Sequence, residues 1–254
     1  MSPENLYSYK FCNFNFLSNN LQLPDLKKVK NSKKSKILIR EENSNNWPEI
    51  DKGMHDTFYL RMQKNDLRLQ IEGVGKYRIN NGENIAWEKE NNKVQDKDIL
   101  AFLVGSAFGA ILIQNGLYVL HGNALVKDNK AIVCIGHSGY GKSTLAYSLI
   151  NAGWKLVADD LVAITPKLKI LPGIPTIKLW LDAVRAFGLD ERKLKPIREG
   201  INKYFFIPNS ENLSRKSYDL NAIYLLSEKP KGNIDIENFE FINNNRIEKK
   251  SASI

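Results

Sequence analysis

Apolar runs and polar breaks alternate through the middle of the chain in a way that predicts its elements. Residues 131–135 (Ala-Ile-Val-Cys-Ile) form an unbroken apolar run rich in β-branched side chains, the pattern of a buried strand. Glycine and polar residues interrupt it at 136–141, and a helix-forming stretch follows over 142–152, closed by Gly153 as its C-cap. A second apolar strand over 154–158 then delivers Asp159 and Asp160 at its expected carboxyl end. Upstream, residues 118–120 and 124–126 read as one strand, and Lys-Asp-Asn-Lys at 127–130 as a polar hairpin turn. That turn pairs the strand carrying His121 with the strand that feeds the glycine loop. Gly122 beside His121 suggests a close backbone approach there.

The flanking regions have other rhythms. Short alternating runs at 7–16, 36–40, 57–63, 67–71, 76–79 and 84–87 are separated by Asn- and Gly-rich turns, which predicts a small, mostly antiparallel β unit over residues 1–98. Residues 99–120 carry no formal charge, yet Gly105, Gly109, Gln114, Asn115 and Gly116 interrupt them. A buried helix over about 98–114, with a turn at Asn115-Gly116, is expected rather than a membrane span. Farther on, 172–175 reads as a loop, and 177–188 has helical periodicity with Leu179, Trp180, Ala183, Val184 and Phe187 on one apolar face. Late strands are expected at 203–207 and 222–226. The end, 243–254, is polar and reads as disordered.

The loop carries the chemistry. Gly136-His137-Ser138-Gly139-Tyr140-Gly141-Lys142-Ser143 fits G-x-x-x-x-G-K-[ST], and strand-before, helix-after is the context that pattern needs. Glycines let the backbone turn tightly and aim N–H groups at an anion, and the helix N-terminus adds partial positive charge. Lys142 suits the β- and γ-phosphates, and the Ser143 hydroxyl suits one ligand position on Mg²⁺. Adjacent carboxylates at 159 and 160 allow one acid to face a metal and the other to accept a proton. In the bland alternative, one Asp caps the next turn. His121, by itself an ordinary strand histidine, is placed beside the loop by the hairpin.

Together His121-Gly122, the loop through Thr144 and Val-Ala-Asp-Asp at 157–160 resemble the catalytic domain of the HPr kinase/phosphorylase superfamily. The chain looks closest to its HPr-kinase-related serine kinases, including those encoded with lasso-peptide biosynthesis. The stretch from Pro172 to Ala183, then Phe187-Gly188-Leu189-Asp190 and 197–203, extends the resemblance, which runs from about residue 99 to 226. It implies an α/β fold: a P-loop kinase core of the HPr kinase / phosphoenolpyruvate carboxykinase type over 99–254, with the β unit in front. It also implies ATP and Mg²⁺ as cofactors, bound by Gly136, Ser138, Gly139, Tyr140, Gly141, Lys142, Ser143 and Thr144. Asp159 is then the base toward a serine hydroxyl and Asp160, with Ser143, the metal partner, although the two acids' roles are interchangeable at this stage. His121 sits against the first Asp or the phosphates. Lys203, and with less support Arg198, would neutralise charge on the transferred group; Lys203 at a strand start equally suits solvent. The chain departs from the bifunctional members at His137, where Asp or Pro is common, and at Thr144, where an acid is usual. Relatives also continue with further helices beyond the polar end.

Composition narrows the classes. With 43% hydrophobic and 26% charged residues the chain is an ordinary globular one. Cys12 and Cys134 form neither a disulfide framework nor a zinc or redox pair, which suits a reducing cytoplasm. The opening residues lack the basic-then-apolar order of a signal peptide. The net charge of +9 is concentrated in lysines between 27 and 36, a solvated loop without interleaved aromatics. Nucleic acid is therefore not the expected partner, although an acidic peptide could be steered by that loop. No internal repeat stands out. The expected function is an ATP- and Mg²⁺-dependent kinase acting on a serine-type hydroxyl of a peptide, an HPr-like small protein or a small molecule. The alternative is a nucleotide-binding regulator without transfer activity. A motor- or transporter-type ATPase would need a separate water-activating acid and coupling motifs, and the sequence offers neither. The N-terminal unit suits a scaffold, a partner surface or a homo-oligomer contact.

Overall fold

Alternation of apolar and polar residues builds the first layer. The computed structural model describes residues 6–23, 26–30, 36–47, 58–63, 65–197, 201–227, 238–242 and 246–250. The run expected as one strand over 7–16 is a hairpin, Leu6–Phe11 (β1) and Phe14–Asn19 (β2), because Cys12 and Asn13 adopt φ of 47° and 64°. Two successive positive-φ residues make the tight turn that matches strand twist. The sheet continues with Lys27–Lys28 (β3), Lys36–Glu41 (β4), Phe58–Gln63 (β5), Asp66–Ile71 (β6), Gly75–Asn80 (β7) and Asn84–Lys89 (β8). Its order is β3-β1-β2-β4-β8-β7-β6-β5. It is antiparallel except where β4 lies parallel to β2 and β8. The lysine run expected as a loop thus begins in a strand, with Lys27 and Lys28 paired to β1; residues 31–35 lie outside the described residues.

The uncharged stretch is a buried helix, as its interruptions suggested. Asp96–Phe102 (α1) and Phe108–Gln114 (α2) are joined by a π-helical turn at Leu103–Ala107. Ile99, Leu103, Phe108 and Ile111 are fully buried against Tyr9, Phe16 and Tyr77 of the sheet. Phe108 stacks 4.8 Å from Phe16 and 5.2 Å from Phe11. Leu161, Ala163 and Leu171 belong to the same core, so it continues into the second half of the chain. No helix among the described residues is long and apolar enough to cross a membrane.

Beyond α2 come Tyr118–Lys127 (β9), Lys130–Gly136 (β10), Lys142–Asn151 (α3), Lys155–Ile164 (β11) and Lys169–Ile170 (β12). Then follow Ile177–Trp180 (β13), Leu181–Ala186 (α4), Lys195–Pro196 (β14), Lys203–Phe206 (β15) and Tyr218–Leu226 (β16). A last hairpin, Asn238–Ile242 (β17) with Arg246–Lys250 (β18), takes up part of the end expected to be disordered. Residues 243–245 and 251–254 lie outside the described residues. The whole is a mixed α/β structure with several sheets and few helices.

Two expectations are corrected. The sequence pattern puts the acid pair at the carboxyl end of its strand, in an α/β fold. Instead β10-β16-β12-β11-β9 close into a barrel, and β9 runs antiparallel to both β10 and β11. Asp159 and Asp160 lie midway along β11, which continues because residues 161–164 (Leu-Val-Ala-Ile) are buried and pair with residues 118–121 of β9. The second concerns 177–188, expected as one helix. Ile177 and Leu179 are fully buried while Trp180 is 49% exposed, so side chains alternate as in a strand, and the helix begins only at Leu181. The partner that decides this is β15, which pairs with β13 from Ile177–Phe206 to Trp180–Lys203. Trp180 is therefore not a core residue. Ala146, Tyr147 and Ile150 of α3 pack on this small sheet through Ile177 and Leu179.

Candidate functional site

Strand β10 ends at Gly136, and α3 starts six residues past it, with Gly141 as N-cap. Gly139 and Gly141 have φ of 90° and 83°, and nothing lies within 4 Å of where a Cβ would sit. The sign of φ, not lack of room, calls for glycine there. The main-chain N–H of Leu145 donates to Gly141 (2.8 Å), starting the helix. Lys142 curls back, its ammonium donating to the carbonyls of Gly136 (2.7 Å) and His137 (3.0 Å). His137, Ser138, Gly139 and Tyr140 form the exposed rim, where the two rings meet edge to face at 5.5 Å. Ser143 is half-buried and Thr144 exposed.

Register brings the acids to this loop. Gly122 pairs with Ile135 on one side and Asp160 on the other; Asn123 likewise lies between Cys134 and Asp159. The expected close approach at Gly122 is present: a Cβ there would sit 2.3 Å from the carbonyl oxygen of Cys134. Asn123 is fully buried, and its amide donates to the carbonyl of Lys142 at 2.9 Å. Its Oδ1 and the Oδ2 of Asp159 are buried without a hydrogen-bond partner. Unpartnered buried oxygens are costly to stability, and these two belong to residues facing each other on β9 and β11.

The two acids differ. Asp159 is 3% exposed. Burial, and next the charge of Asp160, push its carboxyl up to about 8, while main-chain N–H groups of Asp160 and Lys178 and the Lys178 ammonium pull the other way. Asp160 has φ of 62°, a left-handed conformation that turns its carboxylate outward, so the pair does not simply alternate along an extended backbone. That carboxylate pairs with the ammonium of Lys178 on β13. The Asp160 carbonyl accepts from His121 Nδ1 at 3.0 Å. A carbonyl only accepts, so Nδ1 carries the hydrogen and, in the neutral ring, Nε2 is left as an acceptor.

Lys178 had been given no role from the sequence. The signal was a lysine between two apolar residues in Ile177-Lys178-Leu179, a polar side chain on the outer face of a strand. Lys203, opposite Trp180, holds its ammonium 5.1 Å from the indole centroid. Trp180 and Lys178 are two residues apart, so Lys203 shares the face that carries Lys178, but it contacts neither acid in any described interaction. Arg198 lies outside the described residues.

The donor set fits a nucleotide with Mg²⁺. That ion takes one or two carboxylates and fills its remaining positions with water and phosphate oxygens. Asp160 and the Ser143 hydroxyl are donors of that kind. Among the described residues no cluster of three or more His, Cys, Asp and Glu side chains stands ready as an all-protein metal cage.

No family model and no curated protein matches this chain. Among solved structures it is similar to the Hpr(Ser) kinase/phosphatase from Coxiella burnetii, at 21% identity over 49% of this chain and 78% of that one, with a TM-score of 0.27. A superposition that loose does not define a shared fold.

Proposed function

We propose that the chain is an ATP- and Mg²⁺-dependent kinase with a P-loop core, moving the γ-phosphoryl group to a serine-type hydroxyl of a peptide, small protein or small molecule. The observation that carries this reading is the bridge through Asn123: its amide holds the start of α3 while its backbone lies opposite the buried carboxyl of Asp159. A glycine loop suited to phosphate and a buried acid with one unpartnered oxygen are thereby tied together.

Magnesium ATP supplies the transferable group and part of its charge neutralisation. The loop N–H groups would cradle the phosphates, and Lys142, which here donates to the carbonyls of Gly136 and His137, would turn to phosphate oxygens instead. Ser143 and Asp160 would hold the ion. Asp159 would accept the hydroxyl proton in its ionised form, whose share rises as pH approaches about 8. His121 fixes the backbone of Asp160. Lys178 and Lys203, on the face beside the acids, balance charge that develops during in-line transfer.

A second reading, a nucleotide-binding regulator without transfer, is favoured by the Asp160–Lys178 ion pair, which already occupies the more exposed acid. Calorimetry with MgATP, together with labelled-ATP transfer to a serine-peptide library, separates the two. Binding with labelled product, both lost in Lys142→Ala, supports the kinase. Binding without any product supports the regulator, and absence of binding removes both.

A further inference from the structure

A cavity of about 400 Å³ opens at the other end of the barrel, lined by Lys155, Ser210, Ser214, Arg215, Lys216 and Tyr218 around Leu213. Lys155 starts β11 and pairs with Val126, whereas Asp159 pairs with Asn123. Roughly 13 Å of strand therefore separates the cavity from the acid pair. Tyr218 likewise starts β16, whose other end, Leu226, pairs with Gly136 of the loop.

The chemistry of this cavity is one-sided. Three cations line it and no carboxylate does. Among the described residues none of the three forms an ion pair, and the neighbouring Asp219 is held by Lys169 at 2.6 Å. Lys155, Arg215 and Lys216 are exposed around one depression, and such a basic patch attracts an anion. The wall behind them is fixed: Ser214 N–H donates to the carbonyl of Leu156 (2.8 Å), and Leu156 bridges to Leu213. Ser214 Oγ and Tyr218 Oη lie 2.7 Å apart. Whichever hydroxyl donates, the other keeps its hydrogen for a further acceptor. The rim is tied to the N-terminal hairpin by Asn13, whose amide donates to Ser217 Oγ at 3.1 Å.

We propose that this cavity is a second anion site, distinct from the glycine loop, that binds a phosphate group. Phosphate, rather than a single carboxylate, matches three cations and several hydroxyl donors, because it offers a charge near −2 and more acceptor oxygens. The volume falls within the usual range of small-molecule sites. The group comes either as free phosphate or on a small phosphate ester, and both share this recognition chemistry.

The test is a titration of the full chain with inorganic phosphate and, separately, O-phosphoserine, followed by calorimetry and by amide NMR shifts. The expected result is saturable shifts at residues 155–156 and 213–218, retained in Lys142→Ala and weakened about tenfold or more in Arg215→Ala/Lys216→Ala. Tighter binding of phosphoserine than of phosphate identifies an ester ligand; equal or weaker binding identifies the free anion. Shifts confined to 136–143, loss of binding in Lys142→Ala, or unchanged affinity in the Arg215/Lys216 double variant overturns the proposal. Amide spectra of the double variant report its fold, so lost binding in a folded protein is read as loss of the site.

Discussion

Asn123 donates its side-chain amide to the carbonyl of Lys142 at 2.9 Å and faces Asp159 across the β9–β11 ladder. One buried residue connects the helix that opens at the glycine loop with the acid proposed as base. Asn123→Ala removes a buried hydrogen bond and leaves a small void. It is expected to cost about 1–2 kcal/mol in urea unfolding and to weaken MgATP binding with it. Unchanged binding in a folded variant would mean the bridge does not position the loop.

Asp159 gives a pH signature in stability. Its ordinary value is 3.8 and its folded value about 8, so between them the folded chain holds a proton that the unfolded chain has shed. Its contribution is fully present below 3.8 and is lost as pH rises through about 8. Asp159→Asn, neutral at every pH, is expected to flatten this decline and to melt higher than the parent at pH above 8. The same variant is expected to bind MgATP yet transfer no phosphoryl group. A thermal-melt series showing the same slope in parent and variant would refute the buried-acid assignment.

Lys178 is expected to set the pH range of activity. The ion pair with Asp160 is about one-third exposed on both partners, so Lys178→Met should change stability by about 1 kcal/mol or less. The ammonium also lowers the Asp159 value, and its removal should move the rising limb of the rate profile to higher pH. A limb that stays put or moves to lower pH would show that Lys178 does not act on Asp159.

Leu179 and Trp180 test the strand at 177–180. Leu179 is fully buried, so Leu179→Ala is expected to cost about 2–5 kcal/mol. Trp180 is 49% exposed and lies under the Lys203 ammonium, so Trp180→Ala should cost about 1 kcal/mol or less. Similar large losses for both would restore a helix with the two on one apolar face.

Much of the loop was legible because its signals are local. The apolar run into Gly136, the glycines at 139 and 141 and the helix from Lys142 each act within a few residues, and strand, turn and helix follow. The hairpin that pairs β9 with β10 was equally legible, since a polar turn of Asp128 and Asn129, both at positive φ, joins two apolar runs. Period-two and helical spacing are hard to separate over four residues, which is why 177–180 misled. Trp180 suited either face by composition, and only pairing with β15 turned it outward.

The sequence by itself determined which residues carry charge, hydroxyls and glycines, and that the loop lies between a strand and a helix, because these follow from side-chain chemistry and nearest-neighbour backbone preference. Only the tertiary structure decided that β10 pairs with β16 to close a barrel, joining segments some 90 positions apart, as the Ala131 N–H to Asn221 contact illustrates. It also decided that Asp159 is buried and Asp160 turned out to Lys178. Burial and long-range pairing depend on what the rest of the chain brings to a residue, and no window of neighbouring letters contains that.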